Sequence, residues 1–393
     1  MEKSWRYGLT FNIGVLAAAS LLTDVSSEMI VPLLPFFIVS LGGTAAAIGL
    51  IEGIAESVVS FVRIFSGHRS DAIGRRKPFV AAGYGTSTAA KVILAVASWW
   101  PHVLVARAGD RLGKGVRDPP RDALLADSTP AETRGKAFGF HRSMDTTGAI
   151  VGPILAAVLI VLGLTYNQIF LVAAIPAAVA SLVVLLVREK RGVPMRRPLL
   201  ASLSDLPPAV RRYFAVAALF AFGQVTMSLF LLRAGELSGL NPTAMISGVI
   251  ALYVAFNVVY ALLAFEVGRI SDRVGRRPML IAGYLTFAAA AAGFGLLPDP
   301  VFLLPLFLVL GASYAFVDGS QRAMVVDLTP ADRRGTSLGA YHALIGAAKL
   351  PSGILAGVLY ASVGPLAAFG LGGVLATLAA VSFVLVLRPT VSK

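Results

Sequence analysis

The chain has 393 residues, 56% of them hydrophobic and only 14% charged, with a mean hydropathy of +0.78. Soluble domains carry about 25% charged residues, so a water-soluble globule is excluded. The net charge of +13 would suggest nucleic acid in a soluble protein, but the basic residues sit in alternate loops, where anionic lipid is a sufficient partner. No cysteine is present, which excludes disulfides and thiolate metal sites.

A helix needs about 20 apolar residues to cross the hydrocarbon core. In chain order such segments fall at about 8–38, 45–67, 78–99, 102–125, 136–162 and 167–187, and resume at about 212–236, 243–267, 279–297, 301–325, 336–360 and 365–387. The expected fold class is therefore an all-α membrane protein of twelve transmembrane helices. Its expected domains are a six-helix bundle over 1–187, a linker over 188–211 rich in Arg, Pro and Ser, and a second bundle over 212–393. The first segment carries Asp24 and Glu28 and has no convincing cleavage site, so it reads as a retained helix.

Basic residues cluster at Arg69 to Lys77, Arg188 to Arg212, Arg269 to Arg277 and Arg333 to Arg334, while the loops near Gly42, Trp99, Gly163, Asn241, Pro298 and Gly364 carry almost none. By the positive-inside rule this places both termini and the linker in the cytoplasm. A bacterial-type cytoplasmic (inner) membrane is the expected location.

The halves repeat. Gly67-His-Arg-Ser-Asp71-Ala-Ile-Gly74-Arg75-Arg76 matches Gly268-Arg-Ile-Ser-Asp272-Arg-Val-Gly275-Arg276-Arg277. Asp127-Ser-Thr-Pro matches Asp327-Leu-Thr-Pro, and Ile154-Leu-Ala-Ala-Val-Leu159 matches Ile354-Leu-Ala-Gly-Val-Leu359, all displaced by about 200 residues. Such duplication is characteristic of secondary transporters, whose sites lie near the midplane between repeats.

These motifs give the chain a resemblance to the major facilitator superfamily. Gly67, Asp71, Gly74, Arg75 and Arg76 resemble its loop signature between helices 2 and 3, and Gly268, Asp272, Gly275, Arg276 and Arg277 resemble it again. Arg69 departs from the usual apolar third position. The glycines permit tight turns and the aspartates can face a helix N-terminus or a neighbouring Arg, which implies a cytoplasmic latch with a gating role. Arg107 and Asp127 resemble the family's helix 4, with Arg111 where a Gly is usual. Gly139, Gly148, Gly152 and Pro153 resemble the helix 5 motif of its proton-coupled drug exporters, with Ala156 and Ala157 in place of its last two glycines. The resemblance implies export by proton antiport, with Gly148, Gly152 and Pro153 serving helix movement. The bland reading of the same residues is small-residue helix packing and a proline bend.

Ionisable groups inside spanning helices are costly and are functional candidates by default. The densest set is on the fourth segment: Arg107, Asp110, Arg111, Lys114, Arg117, Asp118, Arg121 and Asp122. Arg107, Arg111, Lys114, Asp118 and Arg121 fall within about 80° of helical arc, a stripe that lipid cannot face. One repeat later, Arg107, Arg111, Lys114 and Arg117 become Phe307, Gly311, Tyr314 and Val317, so the fold itself does not require the charges. Asp24 and Glu28 share one face of the first helix, and Glu52 and Glu56 one face of the second. His141, Arg142 and Asp145 lie on the fifth. The second half is sparser: Arg233, Glu236, Glu266, Asp318, Arg322, His342 and Lys349.

Two readings stand side by side. In one, the cations pair with Asp24, Glu28, Glu56 and Asp145 and hold helices together, as buried charges generally do. In the other, Asp24 and Glu28, then Asp145 and Glu56, carry coupling protons. Arg107, Arg111, Lys114 and Arg117, with His141 and Arg142, then contact an anionic or amphiphilic substrate, since guanidinium groups suit phosphate and carboxylate. An uptake symporter for an anionic metabolite, or a carrier of a metal or metal complex held by His141, Asp145, Asp24 and Glu28, are the alternatives. A membrane enzyme or receptor stands furthest off: no metal-protease, P-loop or nucleophile-elbow pattern is found. The expected partners are a small-molecule substrate, protons and membrane lipid, for a monomer without cofactor or nucleic acid.

Overall fold

The computed structural model describes residues 10–130, 133–189, 206–330 and 334–386. The described residues are helical throughout: α1 Phe11–Ile30, α2 Leu34–Ser40, α3 Ala45–Ile73, α4 Lys77–Ala95, α5 Trp100–Asp127, α6 Arg134–Val161 and α7 Tyr166–Val183. They continue with α8 Pro208–Gly223, α9 Met227–Ser238, α10 Pro242–Val274, α11 Arg276–Leu296, α12 Leu303–Asp327, α13 Arg334–Ser362 and α14 Pro365–Val386. Ten spans are long and apolar enough to cross a membrane, with α8 and α9 counted together. The other two expected crossings are α4 and α5. They fall short on composition, because Lys77, Lys91 and a run of Thr and Ser dilute α4 and the charged stripe dilutes α5. Of the expected linker, residues 190–205 lie outside the described residues, as do residues 331–333 of the second Asp-x-Thr-Pro repeat.

Two expected segments are interrupted. The first breaks at Val31 to Leu33, where Pro32 has no N–H to continue the ladder. The seventh breaks at Gln224 to Thr226, where the backbone turns extended. No proline causes the second break. It follows Gly223, on which a methyl group would lie 2.6 Å from Leu375 Cβ of α14. Only the second break divides a spanning segment into two short helices, whereas α1 is long enough to span by itself.

Two segments run further than expected. Helices α3 and α10 continue through the loop signature to Ile73 and Val274. They stop where Gly74 (φ 67°) and Gly275 (φ 92°) enter the left-handed region that only glycine adopts freely. Gly67 is therefore not a turn residue. It is helical, and a methyl group there would meet Pro119 Cβ of α5 at 3.3 Å.

The chain forms two compact units that are not contiguous halves. The described residues within Met1–Gly42 and Val58–Leu199 form one, and those within Gly43–Ser57 and Leu200–Lys393 form the other. In the first unit the helices meet through small residues. A methyl group on Gly113 of α5 would lie 2.5 Å from the Gly83 carbonyl of α4. On α6, a methyl on Gly148 would lie 2.7 Å from Asp24 Cβ, and one on Gly152 would lie 2.5 Å from the Val25 carbonyl. One end of this unit is closed by a core of Val15, Leu16, Ala19, Val80, Tyr84, Leu124, Leu125, Ala180, Val184 and Val187.

The second unit is packed largely by aromatic rings. Phe230 meets Phe294 and Phe369 at 4.9 Å between centroids, and Phe220 stacks on Tyr284 at 4.0 Å. It also holds the first half of α3, where Gly49 and Gly53 abut the backbone of Leu350, Gly353 and Gly357 on α13. The Ser57 hydroxyl donates to the Gly346 carbonyl at 2.6 Å.

Candidate functional site

The helix-4 stripe of the sequence is the inward face of α5 in the first unit. Arg107, Asp110, Arg117 and Asp118 are all buried, and Arg111 and Lys114 are half-buried. Removing so many charges from water requires partners, and α5 itself supplies several. Arg107 and Arg111 each place a guanidinium nitrogen 3.9 Å from Asp110 Oδ2. Arg121 lies 3.6 Å from Asp118 Oδ1. The second oxygen of Asp118 accepts from Arg63 of α3 at 2.7 Å. Besides the acids of the other helices, the helix that carries the cations thus carries two counterions of its own, Asp110 and Asp118. Arg117 lies over the Tyr84 ring of α4, 4.5 Å from its centroid, and donates to Ser87 Oγ at 3.2 Å.

Lys114 forms no ion pair within 4 Å among the described residues. Asp24 of α1 likewise forms no ion pair within 4 Å and no hydrogen bond among them. The two are within electrostatic reach of each other, and Asp24 also senses Asp145, Glu28 and Arg117. Asp145 of α6 accepts from the Ser20 hydroxyl of α1 at 2.6 Å, with His141 Nδ1 at 3.7 Å and Arg142 at 3.9 Å from its other oxygen. Glu28 sits on the same face of α1, its Cβ 2.9 Å from where a methyl on Gly152 would be. Gly148 and Gly152 therefore set the spacing of α1 and α6 beside both α1 acids. Pro153 follows, buried inside α6.

Glu56 belongs to the second unit, in reach of Lys349 and Tyr314. Arg142 is largely exposed, and His141 is 5% exposed. Among the described residues no three His, Asp or Glu side chains come together as a metal-ligand group, so His141, Asp145, Asp24 and Glu28 do not form the ligand set that a metal carrier would need.

Two cations escaped the sequence reading. Lys91 of α4, 2% exposed, donates to Ser27 Oγ of α1 at 3.0 Å. It borders a small cavity with Ser27, Ile30, Arg107 and Asp110. Arg63 completes the Asp118 pair. Both are lone basic residues inside apolar segments, a signal of intramembrane function in itself.

The loop signatures form matched clusters at the ends of α3 and α10. Arg76 pairs with Asp71 at 3.2 Å and with Asp127, and its backbone N–H donates to Glu189. Arg276 pairs with Asp272 at 2.5 Å and Asp327 at 3.1 Å. Lys77 donates to the Leu185 carbonyl at 2.7 Å and Arg277 to the Val384 carbonyl at 2.8 Å. Arg75 is exposed and lines a surface pocket with Lys77 and Glu189.

The family model described as Major Facilitator Superfamily matches residues 16–258 and again 239–393. An uncharacterized MFS-type transporter of Methanocaldococcus jannaschii is 34% identical over 371 residues, covering 94% of this chain and 93% of its own length. The multidrug resistance protein MdtH of Aeromonas hydrophila is 24% identical over 86% of this chain and 84% of its own. The crystal structure of a POT family transporter in complex with 5-aminolevulinic acid superposes with a TM-score of 0.82 at 14% identity, covering 100% of this chain and 99% of that one. Duplicated motifs, a charged interior and a family match over nearly the whole chain converge: this is a multi-pass membrane transporter, not an enzyme, and it belongs to the major facilitator superfamily.

Proposed function

We propose that the transporter exports an anionic or amphiphilic small molecule across the cytoplasmic membrane by proton antiport, with both termini in the cytoplasm. Asp24 carries this reading. It is a half-buried carboxylate on a discontinuous helix, without an ion pair within 4 Å among the described residues, facing Lys114 and Asp145. A carboxylate so placed can exchange its proton as its surroundings change. The acids Asp24, Glu28 and Asp145 would carry the proton. Arg107, Arg111 and Lys114 would receive the substrate's acceptor groups, while Arg117 positions α4 against α5. The clusters about Arg76 and Arg276 would act as cytoplasmic gates.

Export is favoured by the Gly148-x3-Gly152-Pro153 packing beside the α1 acids and by the likeness to proteins named for multidrug resistance. Flux into or out of proteoliposomes under an imposed pH gradient tests the reading. Asp24→Asn should lower gradient-driven transport more than about tenfold while leaving substrate exchange without a gradient. Gradient-driven transport unchanged in both Asp24→Asn and Glu28→Gln would sink it.

A further inference from the structure

We infer that His141 is a further side chain on the path of the coupled proton, beside the α1 acids and with Asp145 as its charge partner, and that it does not touch the substrate; this rests on the proton-coupled reading above. At 5% exposure the ring offers no surface to a solute. Its Nδ1 faces Asp145 Oδ2 at 3.7 Å. Its Nε2 is fully buried and has no hydrogen-bond partner among the described residues. Buried polar atoms are almost always bonded, so the unbonded Nε2 marks an unmet demand for a partner, and the Asp145 carboxylate 3.7 Å from Nδ1 supplies the charge that an imidazolium would face. Imidazole is also the one unperturbed side chain that changes charge between about pH 5 and pH 8.

The surroundings translate that proton into a change at the helix contact. Asp145 and Arg142 face His141 from its own helix, and Arg121, Asp118 and Asp122 face it from α5. From α1 the Ser20 hydroxyl holds the other oxygen of Asp145, and Asp24, one turn further along α1, senses Asp145 directly. An imidazolium offsets the Asp145 charge. A neutral ring leaves Asp145 to Ser20, Arg142 and the electrostatic reach of Asp24. The proton therefore changes the net charge of the α1–α6 contact by one, at the place where Gly148 lets the two helices approach closely.

The absence of cysteine makes the full chain suitable for placed spin labels. Cysteines at two exposed positions, Arg69→Cys and Gly268→Cys, would carry nitroxides in protein reconstituted into nanodiscs. Their distance distribution should shift between pH 5.5 and pH 8. His141→Gln should abolish that shift or move its midpoint by about one pH unit or more, whereas His68→Gln should not. In parallel, the imidazole signals of ¹⁵N-histidine protein, assigned by loss in His141→Gln, should show His141 titrating in that range and moving in Asp145→Asn. The NMR measurement stands even if the Gln variant folds poorly. A distribution in the parent that ignores pH overturns the proton-coupled reading itself. A normal pH shift retained in His141→Gln, or a His141 signal that does not titrate, overturns only the assignment to His141.

Discussion

Helices α5 and α12 are the same helix written twice, and they answer the bilayer in opposite ways. The backbone contacts coincide. A methyl on Gly83 would meet Arg117 at 2.6 Å, and one on Gly283 would meet Val317 at 2.6 Å. Tyr84 and Tyr284 are both buried against these helices. The chemistry differs at nearly every inward position. Arg117 lies over Tyr84, whereas Tyr284 stacks on Phe220 and its hydroxyl accepts from Gln321. Lys91 corresponds to buried Ala291, and Arg107 to Phe307, which meets Phe294 at 5.3 Å. The scaffold thus tolerates either an ionic or an aromatic interior. The ionic one is costlier, because each buried charge depends on its partner.

The sharpest break of this comparison is at Asp118 and Asp318. Asp118, with a side chain 10% exposed, holds Arg63 and Arg121, whereas Asp318, 47% exposed, holds Arg322 and Tyr260. Asp118→Asn removes the carboxylate that buried Arg117 shares with Arg63 and Arg121 and should cost about 3 kcal/mol. Asp318→Asn should cost about 1 kcal/mol or less. Thermal unfolding in detergent checks the gap, and equal losses would show the two interiors to be energetically alike. A second test concerns packing. Gly152→Leu on α6 should cost about 1–3 kcal/mol by overpacking against α1. Gly139→Ala on the same helix, with nothing within 4 Å, should be neutral or stabilise by up to about 1 kcal/mol. The smallest effect separates the tyrosines. Tyr284→Phe removes a hydrogen bond and should cost about 0.5–1.5 kcal/mol. Tyr84→Phe should cost close to nothing, because the Tyr84 hydroxyl has no partner among the described residues.

Much of this asymmetry was legible in the sequence, because the repeat supplies its own control. Phe307, Gly311, Tyr314 and Val317 stand opposite four basic residues without any structure being needed. Helix number and the positions of the loop signatures were legible for the same reason: hydrophobic runs and glycine-arginine pairs are local signals. Partners were not. Asp118 lies on the stripe itself and Asp110 beside it, yet pairing along one helix depends on rotamers that spacing leaves open. Glu56 shares a helix with Arg63, and the structure assigns the two to different compact units, a division that falls within an unbroken helix and leaves no mark in composition. Lys91 was overlooked because its segment is otherwise quiet. The break at Val31 to Leu33 has Pro32 as its signal, while the one at Gln224 to Thr226 has none, since it arises from a tertiary contact at Gly223.

Those two breaks have a consequence for the backbone's exchange with solvent. An unbroken helix in hydrocarbon shields its amide protons for as long as the bilayer stays dry. An interruption lacks several of the bonds that do so, and the Gln224 carbonyl already turns to the Ser352 hydroxyl, 3.3 Å away. Deuterium from the aqueous phase should therefore enter early at Val225 and Thr226, between turns that stay protonated, whereas the first break should stay closed, because Pro32 has no amide proton and the Val31 and Leu33 N–H groups are held by the Ser27 and Ile30 carbonyls.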